Sequence, residues 1–341
     1  MELTKRKQNI LASIVNGYIR TGEPVGSKSI AEAAGVSSAT VRNEMAELTE
    51  LGLLEQPHTS AGRIPSQSGL REYVDNLMPK ETLPESERLA LDAMLAKSAF
   101  DPEKLLSGAG RTLAAATRYL SIATTPSGAK AKIKAVQFVQ TSRRTAMLIL
   151  ISSAGTMKTK VFHCDFDLSS EIMRIFFRVL NERVTGRDVT EINRAFIQSL
   201  AVSFNDLAIL MSPALLALLE VAQDTMRTEV NLSGQMNLLF YPELGPGGAR
   251  RIMDFVERHE AVTALLAGRP GRTQIRIGRE SGCNALSNTS VVSARYSVGG
   301  TDAGALAVIG PMRMNYARTA AQTAYVAERV GTMLTQILRE E

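Results

Sequence analysis

Apolar residues in the first 78 positions recur at helical spacing. Between residues 4 and 20 they fall on one helical face: Ile10, Leu11, Ile14, Val15, Tyr18 and Ile19. The turn RTGEPVGS ends this first helix. A second, shorter helix is predicted over residues 27–34, with Ser27 or Ser29 as its cap.

A third helix is predicted after the turn AGVS, from about residue 38 to residue 51. Ser37 is expected to cap it by accepting a hydrogen bond from the backbone N–H of Thr40. Gly52 has the position of a terminating glycine just beyond the last turn. The chain therefore begins with three closely spaced helices.

The segments LLEQ and RIP, residues 53–56 and 63–65, are expected to be the two arms of a hairpin. Gly62 is expected to permit a tight tip between them. A helical pattern resumes in SGLREYVDNLM. The polar segment 79–89 contains two prolines and is predicted to be a domain boundary.

Beyond residue 89 the pattern is helical to about residue 120 and changes to period two over residues 131–167. AVQFVQT, TAMLILIS and KTKVFHCDF are predicted strands. Residues 168 to about 230 are mostly helical, strands return over residues 273–310, and a last helix covers about 315–338. If both groups of strands belong to one sheet, the helical block between them is an insertion.

Composition is that of a globular protein, with 341 residues, 45% of them hydrophobic. This length suggests two or three domains. The net charge of +5 mildly favours an anionic partner. Cys164 and Cys283 lie far apart in the chain and only three histidines accompany them, so a zinc site is not expected.

Neither a signal peptide nor a membrane span is predicted. Polar residues interrupt every apolar run near the N-terminus. The longest apolar region, residues 207–222, contains Ser212, Pro213 and Glu220. Together with sparse cysteine, this predicts a soluble, cytoplasmic protein without a membrane partner.

The third helix has two distinct faces. Val41, Met45 and Leu48 form a buried seam. The opposite face carries Ala39, Asn43 and Ala46, flanked by Thr40 and Arg42. Small and hydrogen-bonding side chains can contact base edges in the major groove of DNA. The second and third helices with the turn between them therefore predict a helix-turn-helix. An amphipathic helix with a solvated face is the alternative.

Cations and hydroxyls elsewhere in the first 78 residues favour DNA over this alternative. The helix dipole disfavours cations in the first turn of a helix, so cations at this position suggest another role, such as contact with DNA phosphate. A hairpin after the third helix would place a wing beside the minor groove. The residues concerned are Lys5, Arg6 and Lys7 in the first helix, Lys28 in the second, and His58, Thr59, Ser60 and Arg63 in the hairpin. A frayed basic terminus, a solvated lysine and an incidental arginine are the corresponding alternatives.

The charge of this region argues against DNA binding. Residues 1–78 hold eight Lys and Arg against nine Asp and Glu, a net charge of −1. DNA binding then requires the cations to share one face, with the acids elsewhere. Because one such domain would bind weakly, two are expected to act together.

Four segments together resemble the bacterial heat-inducible transcription repressor HrcA family: GEPVGSKSIAE, VSSATVRNEMAELTELGLLEQPHTSAGRIPSQSGLREYVD, IGRES and VIGPMRMNY. The resemblance implies an α+β chain with an N-terminal winged helix-turn-helix. A GAF-like α/β domain would follow, interrupted by an inserted, mostly helical dimerisation domain. The implied boundaries are residues 1–78 for the winged helix, 79–167 and 236–341 for the two parts of the GAF-like domain with its linker helices, and 168–235 for the insertion.

The resemblance also implies a function. A homodimer would repress chaperone operons by binding double-stranded DNA at an inverted-repeat, CIRCE-type operator. Chaperonin would keep the repressor active, and heat would divert it to unfolded clients. The positions expected to contact DNA are Lys5, Arg6, Lys7, Lys28, Ser38, Ala39, Thr40, Arg42, Asn43, His58, Thr59, Ser60 and Arg63.

No enzyme and no cofactor are predicted. The chain has neither a phosphate-binding loop motif nor a G-x-S-x-G motif. HCDFD places at most His163, Asp165 and Asp167 on one side of a strand, and a solvated strand end is the favoured interpretation. Arg269, Arg272, Arg276 and Arg279 are interpreted as a solvated loop, with a second DNA surface as the alternative.

Two other functions stay open at this point. One is a winged-helix regulator gated by a metabolite in its GAF-like domain. The other is a protein-docking module whose winged helix binds no DNA.

Overall fold

A computed structural model describes residues 3–58, 61–98, 101–126, 131–204, 207–268 and 273–339. The fold mixes helices and sheets and begins with a winged helix-turn-helix. Its elements are α1 (Lys5–Thr21), α2 (Ser27–Ala34), α3 (Ser38–Glu50), β1 (Leu54–Glu55), β2 (Ile64–Pro65) and α4 (Gln67–Glu72). β1 and β2 pair antiparallel, and Val25 and Arg63 exchange two backbone hydrogen bonds of 2.9 Å beside them. The predicted hairpin is therefore present, with a third short arm before α2.

α1 forms where its apolar periodicity predicts a helix. Thr4 caps it by accepting from the backbone N–H of Lys7, and Gly22 ends it with a φ of 75°. Ile10, Leu11, Ile14 and Val15 are buried along one face, as the spacing indicates. That face packs on α2 and α3 and forms the core of the winged helix.

The polar segment over residues 79–89 is held against the rest of the molecule. After a π-helical turn at Tyr73–Leu77, the chain continues into α5 (Glu85–Ala96) and α6 (Pro102–Thr117). Leu83 is buried, and Arg318 forms ion pairs with Glu81 at 3.2 Å and Glu87 at 2.6 Å. The segment therefore joins the winged helix to the following helices without acting as a free linker.

Five antiparallel strands form the main sheet: β3 (Leu120–Thr124), β7 (Val230–Ser233), β8 (Gln274–Ile277), β9 (Thr289–Val298) and β10 (Thr301–Pro311). Their order is β7-β3-β10-β9-β8. One face is covered by α6 and α12 (Tyr316–Arg339). α10 (Gly248–Val256) and α11 (His259–Leu265) cover the other face.

Between β3 and β7 the chain builds a three-stranded unit, residues 131–226, with its own core. It contains β4 (Ile133–Gln140), β5 (Thr145–Ser152), β6 (Met157–His163), α7 (Ser170–Val184), α8 (Arg194–Val202) and α9 (Ser212–Met226). Its strands have the order β4-β5-β6 and are antiparallel. The two predicted groups of strands therefore do not share a sheet. Alternation shows which residues of a strand face inward, but not which sheet they join.

The sequence pattern did not predict β3 and β7. All five residues of β3 are buried, so the strand lacks the alternation of a half-exposed strand. β7 has only four residues, all half-buried. These two strands carry the chain out of the main sheet and back into it.

The winged helix and the main sheet share one hydrophobic core. Leu70 and Tyr73 of the winged helix belong to the same buried cluster as Met314, Tyr316 and Val326. Across this boundary Gln67 accepts a hydrogen bond from the backbone N–H of Arg279 at 3.2 Å. The orientation of the winged helix is thus tied to the C-terminal part of the chain.

Candidate nucleic-acid interface

The buried side of α3 has the predicted geometry. Ser37 accepts from the backbone N–H of Thr40 at 3.1 Å, while Val41, Met45 and Leu48 are buried. After the last turn Gly52 has a φ of 71°, and its N–H bonds to the carbonyl of Thr49. Both ends of the helix are therefore fixed by local hydrogen bonds.

The opposite side of α3 is open to solvent. Ala39, Arg42, Asn43 and Ala46 are exposed. Within the described ranges, Arg42 forms no ion pair. This face offers methyl groups, one amide and one guanidinium, which are groups that hydrogen-bond or contact base edges in the major groove.

Two hydroxyls expected to contact DNA bond within the protein. The Thr40 hydroxyl lies 2.8 Å from that of Ser37, and the Ser38 hydroxyl lies 3.0 Å from that of Ser27. The second contact joins the N-termini of α3 and α2. Ser38 and Thr40 thus help to position the two helices.

α2 begins differently from the prediction. Its N-cap is Gly26, and no side chain caps it; the Ser29 hydroxyl instead donates to the Gly26 carbonyl at 2.8 Å. Ser27 and Ser29 are therefore not the cap. Without a capping side chain, the first backbone N–H groups of α2 stay available beside the exposed Lys28.

The cations at the start of α1 have partners that the sequence pattern did not reveal. Lys7 Nζ lies 3.0 Å from a carboxylate oxygen of Glu44 and 2.8 Å from one of Glu47, both on α3. Arg6 lies 3.7 Å from Glu44. Lys7 and Arg6 are therefore paired within the protein, and their contact with phosphate stays a prediction. The neighbouring carboxylates of Glu47 and Glu44, as acceptors of its protons, raise the pKa of Lys7, so its ammonium remains charged.

The distribution of charge also differs from the expectation. Glu44 and Glu47 belong to α3 itself, so the acids are not segregated from the helix expected to read DNA. Lys5 and Lys28 are exposed, and neither forms an ion pair with any residue in the described part of the chain. These two cations lie near the N-termini of α1 and α2.

The wing is anchored at its base. Arg63 is half-buried and donates from Nε to the Thr49 hydroxyl at 3.0 Å, so it lies against α3 and not at the tip of the hairpin. His58 is exposed. The two hydroxyl residues Thr59 and Ser60 lie outside the described residues.

Gly62 serves the base of the wing and not its tip. A Cβ at this position would lie 2.4 Å from the carbonyl oxygen of Val25, closer than a real Cβ contact. Its φ does not lie in the left-handed region. The glycine is needed because the wing crosses the backbone before α2 at close range.

The other polar motifs are held by contacts within the protein. His163 Nδ1 lies 3.1 Å from the Thr145 hydroxyl, Asp167 pairs with Arg144 at 3.0 Å, and burial raises the pKa of the Cys164 thiol. Arg276 is half-buried and donates to the carbonyls of Leu265 and Ala267 at the end of α11. It is therefore not a solvated residue, and Arg269 and Arg272 lie outside the described residues.

The described residues contain no group of three or more His, Cys, Asp and Glu that could hold a metal ion. None of their helices is both long and apolar enough to cross a membrane.

Comparisons with known proteins agree with this architecture. Residues 2–71 match a family model described as winged helix-turn-helix transcription repressor, HrcA DNA-binding. Residues 103–320 match the HrcA protein C terminal domain. The chain is 28% identical to a hypothetical protein of known crystal structure, with a TM-score of 0.70 and coverage of 98% of this chain and 100% of the other.

Curated relatives cover the whole chain. The heat-inducible transcription repressor HrcA of Desulforudis audaxviator is 33% identical over 99% of this chain and 100% of its own length. The repressor of the same name from Moorella thermoacetica is 34% identical, again over 99% and 100%. The chain therefore belongs to the HrcA family of heat-inducible transcription repressors, which are DNA-binding regulators and not enzymes.

Proposed function

We propose that the protein represses chaperone operons by binding an inverted-repeat, CIRCE-type operator as a homodimer. The observation that carries this proposal is the exposed face of α3, where Ala39, Asn43 and Ala46 stand beside Arg42. Because its side chains are small, this face of α3 can lie close to base edges in the major groove. The wing follows α3 directly in the chain, as in a winged helix-turn-helix.

The proposed contacts divide by role. Asn43, Arg42 and Ala39 read base edges from α3, whereas Lys5 and Lys28 bind phosphate through exposed ammonium groups. His58 and Arg63 approach the minor groove from the wing, and Thr59 and Ser60 donate to phosphate. Ser38 and Thr40 act mainly by fixing the start of α3. Arg6, exposed at the edge of its ion pair, makes a weaker phosphate contact.

We assign dimerisation to the three-stranded unit, residues 131–226, instead of the narrower range 168–235. The support is apolar surface: Met157 and Val161 of β6 and Leu216 of α9 are each more than half exposed. β6 and α9 are packed together, so these side chains lie on adjoining elements of the unit. A second copy of the chain would remove this surface from water. The main sheet with its helices is then the GAF-like domain.

Chaperonin is proposed to maintain the active dimer in the bacterial cytoplasm. Stability of folded proteins is usually only about 5–15 kcal/mol, so a modest rise in temperature can change the active fraction. When heat generates unfolded clients, less chaperonin is available to the repressor. The repressor then loses activity and the chaperone genes are expressed.

The test is fluorescence anisotropy of labelled operator and of a scrambled duplex, titrated with the full chain at several salt concentrations. Operator affinity should exceed scrambled affinity by about a thousandfold or more and fall steeply with salt. Added chaperonin should preserve the operator complex across a temperature ramp. Equal affinity for both duplexes with a flat salt response would favour a protein-docking module. A change in melting temperature caused by a metabolite would favour a ligand-gated regulator.

A further inference from the structure

We propose that Lys7 supports DNA binding by neutralising Glu44 and Glu47 on α3, and is a positioning residue, not a phosphate contact. This inference rests on the proposed reading of DNA by α3. It concerns one class of partner, the phosphate backbone of double-stranded DNA.

The geometry commits Lys7 to the two acids. Its ammonium is within 3.0 Å of both carboxylates, and its side chain is only 15% exposed. Glu44 is 13% exposed and Glu47 is 56% exposed. The attraction is ionic, and both carboxylates lie close enough to the ammonium to be neutralised by its positive charge. Arg6, 62% exposed and 3.7 Å from Glu44, contributes at the edge of the same cluster.

The position of the acids explains why they need a cation. Each residue of a helix advances about 100°, so Glu47 lies one turn beyond Asn43 on nearly the same side of α3. Glu44 is adjacent to Asn43 in the chain. A carboxylate there would face the negatively charged groove and repel phosphate over several ångströms. Lys7 allows α3 to carry acids near its reading face without that repulsion.

The cluster also connects two elements that the DNA must meet together. Lys7 belongs to the first turn of α1, and its partners lie in the middle of α3. The ion pairs therefore place the positive start of α1 beside the reading helix. This placement also accounts for Lys7 and Arg6 in the first turn of α1, where the helix dipole alone disfavours cations.

The experiment is a mutant cycle in the full chain. Lys7→Met is made alone and in the Glu44→Gln/Glu47→Gln background, and dissociation constants are measured for operator and scrambled duplex. Alone, Lys7→Met should weaken binding to both duplexes about tenfold; in the double-Gln background its effect should be under about twofold. The double-Gln variant itself should bind as tightly as the wild type, or more tightly.

Lys5→Met is the matched control. Lys5 lies in the same helical turn, is exposed, and has no ion pair among the described residues. Its substitution should weaken binding equally in both backgrounds. Circular dichroism melts of every variant confirm that the proteins compared are folded, and Lys7→Arg, which keeps the charge, should retain most of the affinity.

Two results would overturn the proposal. If Lys7→Met weakens binding equally in both backgrounds, Lys7 contacts phosphate directly. If the double-Gln variant is as weak as Lys7→Met, the ion pairs matter only as a structural clamp. Failure of the wild-type chain to prefer operator over scrambled duplex would instead refute the proposed function, so the two failures are distinguishable.

Discussion

Arg71 of α4 is bonded to Glu280, which lies 209 residues later in the chain, just after β8. The Arg71 Nε donates to Glu280 at 2.9 Å, and its other nitrogens donate to Asp75 at 3.0 Å and to the carbonyl of Ile275 at 2.7 Å. The bond to Glu280 raises the pKa of Arg71, which therefore remains charged. This contact fixes the winged helix on the main sheet, so the C-terminal part of the chain sets the direction of α3.

Loss of the contact between Arg71 and Glu280 should lower affinity for the full operator more than affinity for an isolated half-site. Arg71→Ala is expected to weaken binding to the inverted repeat about tenfold. Two winged helices that are loosely oriented in the proposed dimer would bind both half-sites at once less efficiently. Affinity for an isolated half-site should change by less than about twofold. Anisotropy titrations of the two duplexes measure both quantities.

Arg250→Ala is the control for this experiment, since Arg250 is 86% exposed and its pair with Asp254 is long, at 4.0 Å. It should leave both affinities unchanged. An equal loss on half-site and full operator after Arg71→Ala would show that Arg71 supports the fold of the winged helix instead of its orientation.

Asn43 should carry sequence discrimination. Asn43→Ala is expected to cost about 1–3 kcal/mol of operator affinity through loss of a paired contact to a base edge. Affinity for scrambled duplex should stay the same, because phosphate contacts are retained. Titration of both duplexes with one variant gives the comparison. An equal loss of affinity for both duplexes would show that Asn43 contacts the DNA phosphate backbone and not the bases.

Gly62 should be essential for the seating of the wing. Gly62→Ala places a methyl group 2.4 Å from the Val25 carbonyl oxygen, so the wing must shift, at a cost of about 1–3 kcal/mol in stability. Thermal unfolding and operator titration should both register the change. Gly26→Ala is the matched control, because its Cβ would meet no atom within 4 Å. Similar effects of the two substitutions would exclude close approach as the reason for Gly62.

Destabilising the core of the three-stranded unit should leave the core of the winged helix folded. Phe176 is buried against Phe138 and Phe204, with ring centroids 5.1 and 4.9 Å apart. Phe176→Ala should destabilise this unit by about 3–5 kcal/mol. Hydrogen exchange should increase in residues 131–226 while the amides of α1 and α3 keep their protection.

The same variant tests the assignment of the dimer contact. If residues 131–226 hold the dimer together, Phe176→Ala should lower the dimer fraction in analytical ultracentrifugation and reduce operator affinity toward that of one half-site. If the variant remains fully dimeric while the amides of residues 131–226 exchange freely, the dimer contact lies elsewhere in the chain.

The sequence was most informative where the controlling interactions are local. Ser37, the seam from Val41 to Leu48 and Gly52 predict the limits of α3 because caps and periodicity act within a few residues. The same holds for α1 and for the hairpin arms at Leu54 and Ile64. Most of the exposed face of α3 could therefore be identified before the fold was known.

The remaining features depend on contacts between distant residues. Nothing local to Lys7 indicates that the start of α1 lies beside Glu44, and nothing around Gly62 points to the Val25 carbonyl. Likewise, the alternation in β5 predicts a half-buried strand, but its partners on α9 can be known only from the fold. These contacts decide which cations are free and which sheet each strand joins.

The most direct test of operator binding by two winged helices is a hydroxyl-radical footprint of the full chain on the operator. We expect two protected patches on one face of the duplex, one in each half-site, and loss of both patches with Asn43→Ala at the same protein concentration. A single patch, or protection that is unchanged by Asn43→Ala, would contradict the claim that two winged helices read an inverted repeat through α3.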